Sequence, residues 1–107
     1  MKELQEQLHK TAVDHGWWEN PPSFGEVVAL IHSEASEALE EFRNSGEPNE
    51  IYFGEGGKPE GVPVELADVV IRVLDYCEHI GIDLGEVIRM KNAYNETRPY
   101  RHGGKVM

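Results

Sequence analysis

The chain has 107 residues, enough for one domain, and its 20 acidic and 10 basic residues give a formal net charge of −10. This charge repels nucleic-acid phosphates, so the composition argues against a protein that binds DNA or RNA unaided. No apolar run approaches the ~18 residues of a membrane span, and the N-terminus lacks a signal-peptide stretch. Cys77 is the sole cysteine, which excludes an intramolecular disulfide. We therefore expect a single cytoplasmic domain over residues 1–107, without a nucleic-acid or membrane partner.

Apolar residues at intervals of three and four predict two helices in the first half of the chain. The first helix is predicted over residues 2–15, and Gly16 can end it. Ser23 and Glu26 match a capping box, which places the start of a second helix at Ser23. The apolar stripe of this helix continues to Phe42, and the helix is expected to end near residues 44–46.

Two further helices are predicted after a long connection over residues 46–63. This connection is rich in glycine and is either functional or a disordered insertion. The third helix, over residues 64–80, is apolar around most of its circumference, and a fourth is predicted over about residues 83–96. The fold class is therefore all-α. Because four helices of one chain cannot easily cover the third helix, we also expect a homo-oligomer.

Two pairs of acidic residues stand out by their context. Glu34 and Glu37 border the apolar stripe of the second helix, and Glu65 and Asp68 begin a narrow charged stripe on the mostly apolar third helix. Chance alone gives about four acidic pairs at this spacing in such a chain, so the spacing by itself is weak. Buried carboxylates are costly unless they are paired or bind a metal. The two pairs therefore predict either a shared crevice for Mg²⁺ or Mn²⁺, or an ordinary solvated face.

The segments around these pairs resemble a known family. Glu34-x-x-Glu37, followed after 27 residues by Glu65-x-x-Asp68, is similar to the signature of the MazG-like all-α nucleoside triphosphate pyrophosphohydrolases. The segments HSEASEALEEF, PVELADVVIRVLDY, GIDL and KNAYNETRPYRHGG are also similar to that family. The resemblance covers about residues 24–104.

The resemblance implies a fold, a reaction and a set of site residues. It implies a four-helix MazG-like domain whose bundle is completed in a homodimer or homotetramer. The implied reaction is Mg²⁺-dependent hydrolysis of a (deoxy)nucleoside triphosphate to the monophosphate and pyrophosphate. The residues matching the family's metal-binding positions are Glu34, Glu37, Glu65 and Asp68, and Glu34 or Glu37 is the candidate general base. Lys91 and Asn95 would contact phosphate or sugar; the alternative is that they form a solvated helix end.

Aromatic and cationic residues supply the remaining substrate-binding candidates. Trp17 and Trp18 can stack on a base or pack in the protein, and we expect one of each. Arg98 begins a basic tail that either closes over pyrophosphate or is disordered. Arg72 and Asp75 can pair along the third helix.

The sequence therefore predicts a nucleotide pyrophosphohydrolase as the leading hypothesis. Attack of water on the α-phosphorus needs charge neutralisation and an activated water, and Mg²⁺ supplies both. The alternative is a non-catalytic helical dimer that binds nucleotide or metal as a regulator. A third hypothesis, an acidic interaction module, requires scattered exposed charge, whereas Glu65 and Asp68 lie within a mostly apolar helix.

Overall fold

The computed structural model describes residues 1–100, which are predominantly helical, as predicted. The described residues form α1 (Lys2–Asp14), α2 (Phe24–Ser45), β1 (Tyr52–Phe53), β2 (Pro59–Glu60), α3 (Val62–His79) and α4 (Leu84–Glu96). No helix among residues 1–100 combines the length and apolar character that crossing a membrane requires. Part of the predicted basic tail, with Arg101, His102 and Lys105, lies outside the described residues.

The ends of α2 are fixed by the signals that the sequence shows. The Ser23 side chain accepts a hydrogen bond from the Glu26 N–H at 3.2 Å, and the Glu26 carboxylate accepts one from the Ser23 N–H at 2.8 Å. This capping box confirms the predicted start of the helix. At the other end, Gly46 adopts a left-handed conformation with φ of +71° and ψ of 5°.

Three helices form the body of the protein, with α3 between α1 and α2. The Phe24 and Tyr76 rings lie 5.5 Å apart, and a side chain farther along α2 contacts one nearer the start of α3, so these two helices run antiparallel. Gln5 donates to Glu78 Oε1 at 2.9 Å, which holds the start of α1 against the end of α3. Leu74 is fully buried at the centre of α3. The arrangement places the acidic segments of α2 and α3 side by side.

Residues 52–60 of the predicted connection over residues 46–63 form a small antiparallel hairpin, which the sequence does not predict. Tyr52 pairs with Glu60 across β1 and β2. Gly61 then begins α3 with φ of +121°, and a Cβ atom at this position would clash with the carbonyl oxygen of Glu50. Glycine is therefore required where the hairpin meets α3, four residues before Glu65.

Helix α4 projects from the three-helix body. Its start is attached through the Leu84 N–H, which donates to Gln5 Oε1 at 3.3 Å, and through Gly85, which lies beside Met1. The radius of gyration of 16.6 Å exceeds the ~13 Å of a compact domain of this length. Beyond the first turn, the large apolar side chains of α4 are exposed, namely Val87, Ile88, Met90 and Tyr94.

Candidate functional site

Three of the four predicted carboxylates converge between α2 and α3. One oxygen each from Glu34, Glu37 and Glu65 can be chosen so that all three lie within 4.8 Å of one another. Asp68, one turn after Glu65 on α3, is not part of this group and lines the adjoining cavity together with Glu34. We call these four residues the acidic cluster. It arises because the antiparallel packing sets two acidic pairs of similar spacing opposite each other.

The surroundings of three members of the acidic cluster, Glu37, Glu65 and Asp68, favour their protonated forms. A hydrogen bond shared with Glu34 raises the pKa of Glu37, and repulsion from Glu34 adds to it. Burial raises the pKa of Glu65, with further contributions from Asp68 and Glu37. Burial likewise raises the pKa of Asp68, and Glu34 raises it further. A cation placed among these oxygens would reverse the effect, because it stabilises the charged form of every member.

The donor set fits a hard divalent cation. All of its atoms are carboxylate oxygens, which suit Mg²⁺ and Mn²⁺, and neither histidine nor cysteine takes part in the group. Mg²⁺ holds several waters or substrate oxygens in addition to one or two protein carboxylates. A site of this kind is therefore compatible with an open side that faces a cavity.

Two cationic residues that were not predicted as site residues act on the acidic cluster. Arg72 donates from Nη2 and Nε to Glu34 Oε1, at 3.1 and 3.3 Å. The charges of Arg72 and Lys58 both lower the pKa of Asp68, against the effect of its burial. Sequence spacing suggested Asp75 as the partner of Arg72, but the structure pairs Arg72 across the helix interface instead. The sequence signal that could have identified Arg72 as a site residue is its position four residues after Asp68, which places both residues on one face of α3.

The hairpin also reaches the acidic cluster. The Tyr52 hydroxyl donates a hydrogen bond to Glu41 Oε1, and this bond, with burial and nearby acidic charges, raises the pKa of Tyr52 to about 12. Glu41 in turn contributes to the raised pKa of Glu65. Tyr52 therefore holds a carboxylate at the edge of the cluster, and the 46–63 segment borders the site.

A cavity of about 410 Å³ adjoins the acidic cluster on the side of α1. Its volume falls in the range of small-molecule sites. Glu34 and Asp68 form its acidic wall, and Trp17 and His15 contribute aromatic rings. The remaining lining residues are Thr11, Ala12, Ile71, Arg72 and Asp75. A ligand in this cavity could reach the carboxylates and an aromatic side chain at the same time.

The two consecutive tryptophans have different surroundings. Trp18 donates from Nε1 to Asp75 Oδ1 at 3.0 Å, and its ring stacks on His79 with centroids 4.0 Å apart. Asp75 is buried and also lies 2.7 Å from His9 Nδ1, so these contacts fasten α1 and the following loop to α3. Trp17 is 40% exposed and lines the cavity. Of the two, Trp17 is the one placed to meet a ligand.

The predicted substrate-binding residues of α4 lie apart from the acidic cluster within one chain. Lys91 Nζ is 5.1 Å from the centroid of the Tyr94 ring, and the Arg98 guanidinium is 5.7 Å from the same centroid. Asn95 lies on the same helix. Glu65 and the end of α3 are separated by about 21 Å of helix, and α4 then continues away from the body. The structure therefore does not bring these three residues to the carboxylates of their own chain.

No family model matches the sequence, and no curated protein or solved structure was found to be similar to the chain. The likeness to MazG-like enzymes therefore rests on the spacing of Glu34, Glu37, Glu65 and Asp68 and on the segments around them.

Proposed function

We propose that this protein is a Mg²⁺-dependent nucleotide pyrophosphohydrolase of the MazG-like type, which cleaves a (d)NTP to the (d)NMP and pyrophosphate. The observation that carries the proposal is the convergence of Glu34, Glu37 and Glu65 within 4.8 Å, beside a cavity with Asp68 and Trp17 in its walls. Metal ligands next to a cavity of nucleotide-compatible size are what this reaction needs. The resemblance of the sequence to MazG-like enzymes supports the same conclusion.

The acidic cluster would hold Mg²⁺ through Glu34, Glu37, Glu65 and Asp68, and Mn²⁺ could take its place. Bound there, Mg²⁺ would neutralise charge on the triphosphate and lower the pKa of an attacking water. Glu34 or Glu37 would accept the proton from that water. Glu37 is the better candidate of the two, because Glu34 already accepts two hydrogen bonds from Arg72.

The base would occupy the cavity against Trp17. Stacking on an indole contributes ~1–3 kcal/mol per base and tolerates different bases, so a broad substrate range follows. Trp18 is assigned a structural role because Asp75 and His79 already engage its indole N–H and its ring face. Thr11 and His15 are polar side chains in the cavity wall, outside the acidic cluster, that could contact base edges or the sugar.

We also propose that the active form is a homodimer or homotetramer in which α4 acts on a neighbouring copy. Exposed apolar side chains occur on α4 and, separately, on the body, where Leu39, Leu66 and Val70 are each about half exposed. Large exposed apolar patches mark interfaces. Lys91, Asn95 and Arg98 could then reach the phosphates bound by another subunit. Sedimentation should give an oligomer at micromolar concentration, and a fully active monomer would contradict this part of the proposal.

The experiment that tests the function is release of pyrophosphate from a panel of NTPs and dNTPs, with and without Mg²⁺. Glu34→Gln should abolish metal-dependent release. Glu40→Gln is the matched control on the same helix, since Glu40 is 63% exposed and pairs with Arg43 outside the acidic cluster. Binding of nucleotide or metal without any hydrolysis would instead favour the non-catalytic regulator.

A further inference from the structure

Arg72 joins the acidic cluster to the aromatic wall of the cavity. Its side chain extends from α3 between two elements and is 29% exposed. The edge of the guanidinium donates to Glu34 on α2, and the guanidinium carbon lies 4.7 Å from the centroid of the Trp17 ring. Both of these residues also line the cavity. One planar group thus contacts a candidate metal ligand and the candidate base-stacking residue.

The hydrogen bonds to Glu34 have a geometry that can assist metal binding. Both donated bonds end on the same oxygen, Oε1. A carboxylate held through one oxygen keeps its orientation while its other oxygen can ligate a metal. Partners of this kind fix ligand orientation in metal sites, and their loss typically lowers metal affinity or activity by roughly 10- to 100-fold.

We propose that Arg72 is a positioning residue that orients Glu34 for the metal and links the metal site to Trp17 in the base pocket. This inference rests on the proposed function. A metal bound to Glu34 would withdraw charge from the carboxylate that accepts from Arg72, and Arg72 is in contact with Trp17, so metal binding would change the electrostatic surroundings of the indole. Conversely, a base against Trp17 restricts the guanidinium that orients Glu34.

Lysine cannot replace arginine in this arrangement. Two donors of the guanidinium reach Glu34 from one rigid plane, and the same plane has a face that can stack on an aromatic ring. An ammonium group keeps the positive charge but provides neither the fixed pair of donors nor the flat face. Because the charge is unchanged, Arg72→Lys isolates the geometric role of the side chain from its electrostatic effect on the carboxylates.

The test measures the affinity of the protein for Mn²⁺ alone by titration calorimetry. Arg72→Lys should weaken Mn²⁺ binding by roughly 10- to 100-fold, with an unfolding temperature in EDTA close to that of the wild-type protein. Arg43→Lys is the matched control, because Arg43 pairs with the exposed Glu40 on α2, 3.5 Å away. This control should bind Mn²⁺ as the wild-type protein does.

Tryptophan emission supplies the second readout, with Mg²⁺ as the probe. Saturating Mg²⁺ should change the emission of the wild-type protein, and Trp17→Phe should remove most of that change. Arg72→Lys should reduce it even when enough Mg²⁺ is added to saturate the weakened site. A persistent change in the Trp17→Phe variant would place the signal on Trp18 and overturn the link.

Different results would refute the positioning role of Arg72 and the proposed hydrolysis of nucleotides. If the wild-type protein hydrolyses (d)NTPs and Arg72→Lys binds Mn²⁺ within twofold of it, the positioning role is wrong and the proposed function stands. If the wild-type protein binds Mn²⁺ and depends on Arg72 but hydrolyses no nucleotide, the positioning of the metal ligand stands and the proposed reaction is wrong. If the wild-type protein binds no metal, both are wrong.

Discussion

Replacement of Glu65 by glutamine should stabilise the metal-free protein and abolish its turnover. Glu65 lies in the first turn of α3 with a partly buried side chain, and burial followed by repulsion from Asp68 raises its pKa. Glutamine has nearly the same shape and no charge. The change therefore removes repulsion within the acidic cluster and, at the same time, an anionic ligand for Mg²⁺.

The repulsion between Glu65 and Glu34, one of several carboxylates that raise the pKa of Glu65, gives a scale for the effect. Their carboxylates approach within 4.8 Å. Two unit charges at that separation repel by about 3.5 kcal/mol at an effective dielectric constant of about 20, and by about 0.9 kcal/mol in bulk water. Partial exposure places the pair near the lower value, so we expect a gain of ~1 kcal/mol in the free energy of unfolding. For a domain of this size, that gain raises the unfolding temperature by about 4–8 °C.

Thermal unfolding followed by circular dichroism, in EDTA and in Mg²⁺, separates the two effects. In EDTA the Glu65→Gln variant should unfold at a higher temperature than the wild-type protein. In Mg²⁺ the difference in unfolding temperature between the variant and the wild-type protein should narrow or reverse. A ligand at 100 times its Kd stabilises the native protein by about 2.7 kcal/mol, and the variant loses this gain. Glu40→Gln, outside the cluster, should change neither melting nor pyrophosphate release. A variant that is less stable than the wild-type protein in EDTA, or that keeps near-normal activity, would refute the assignment of Glu65.

Three further predictions follow from the same structure. Without metal, the contribution of Glu65 and Asp68 to stability should fall as the pH rises above the ordinary carboxyl pKa values of 4.5 and 3.8, because both groups bind protons more tightly when folded. Melting curves from acid to neutral pH, compared between the wild-type protein and Glu65→Gln, measure the part that comes from Glu65. Gly61→Ala should cost ~1–3 kcal/mol in chemical denaturation, since the left-handed backbone and the clash with Glu50 both oppose a side chain. Trp17→Ala should raise KM by roughly 5- to 150-fold with little change in kcat, whereas Trp18→Phe should instead lower stability by ~1–3 kcal/mol through loss of its hydrogen bond. Steady-state kinetics and melting of both tryptophan variants distinguish these roles.

Local signals in the sequence predict the helices well. Ser23 with Glu26 and the left-handed Gly46 bound α2 where the pattern indicates. The start of α3 is less well predicted, because the sequence pattern places Pro63 in the preceding connection. Proline is tolerated in the first turn of a helix, where its missing N–H has no helical partner, and α3 therefore begins at Val62.

The sequence pattern does not predict the contacts between helices. Spacing along α3 offers Asp75 as a partner for Arg72, three residues away on the same helix. In the structure, Asp75 is engaged by Trp18 and His9, and Arg72 turns to Glu34. Each of these partners comes from at least 38 residues away. Only the packing of α1 and α2 on α3 decides whether Arg72 pairs with Asp75 or with Glu34. Residue spacing within one helix is therefore insufficient to predict the partner of Arg72.

The position of α4 also depends on contacts that the sequence pattern does not predict, and it decides which phosphates Lys91 can reach. Lys91 and Asn95 are one turn apart, and the sequence places them on one face, but it does not say which acidic cluster that face meets. In the single chain, α4 starts at the far end of α3 from Glu65 and leaves its apolar residues exposed. A helix that buries so little of its apolar surface is poorly stabilised by its own chain. Packing against a second copy would cover that surface and could carry Lys91 to the neighbour's phosphates, so the exposed face and the distant cation have one common explanation in the proposed oligomer.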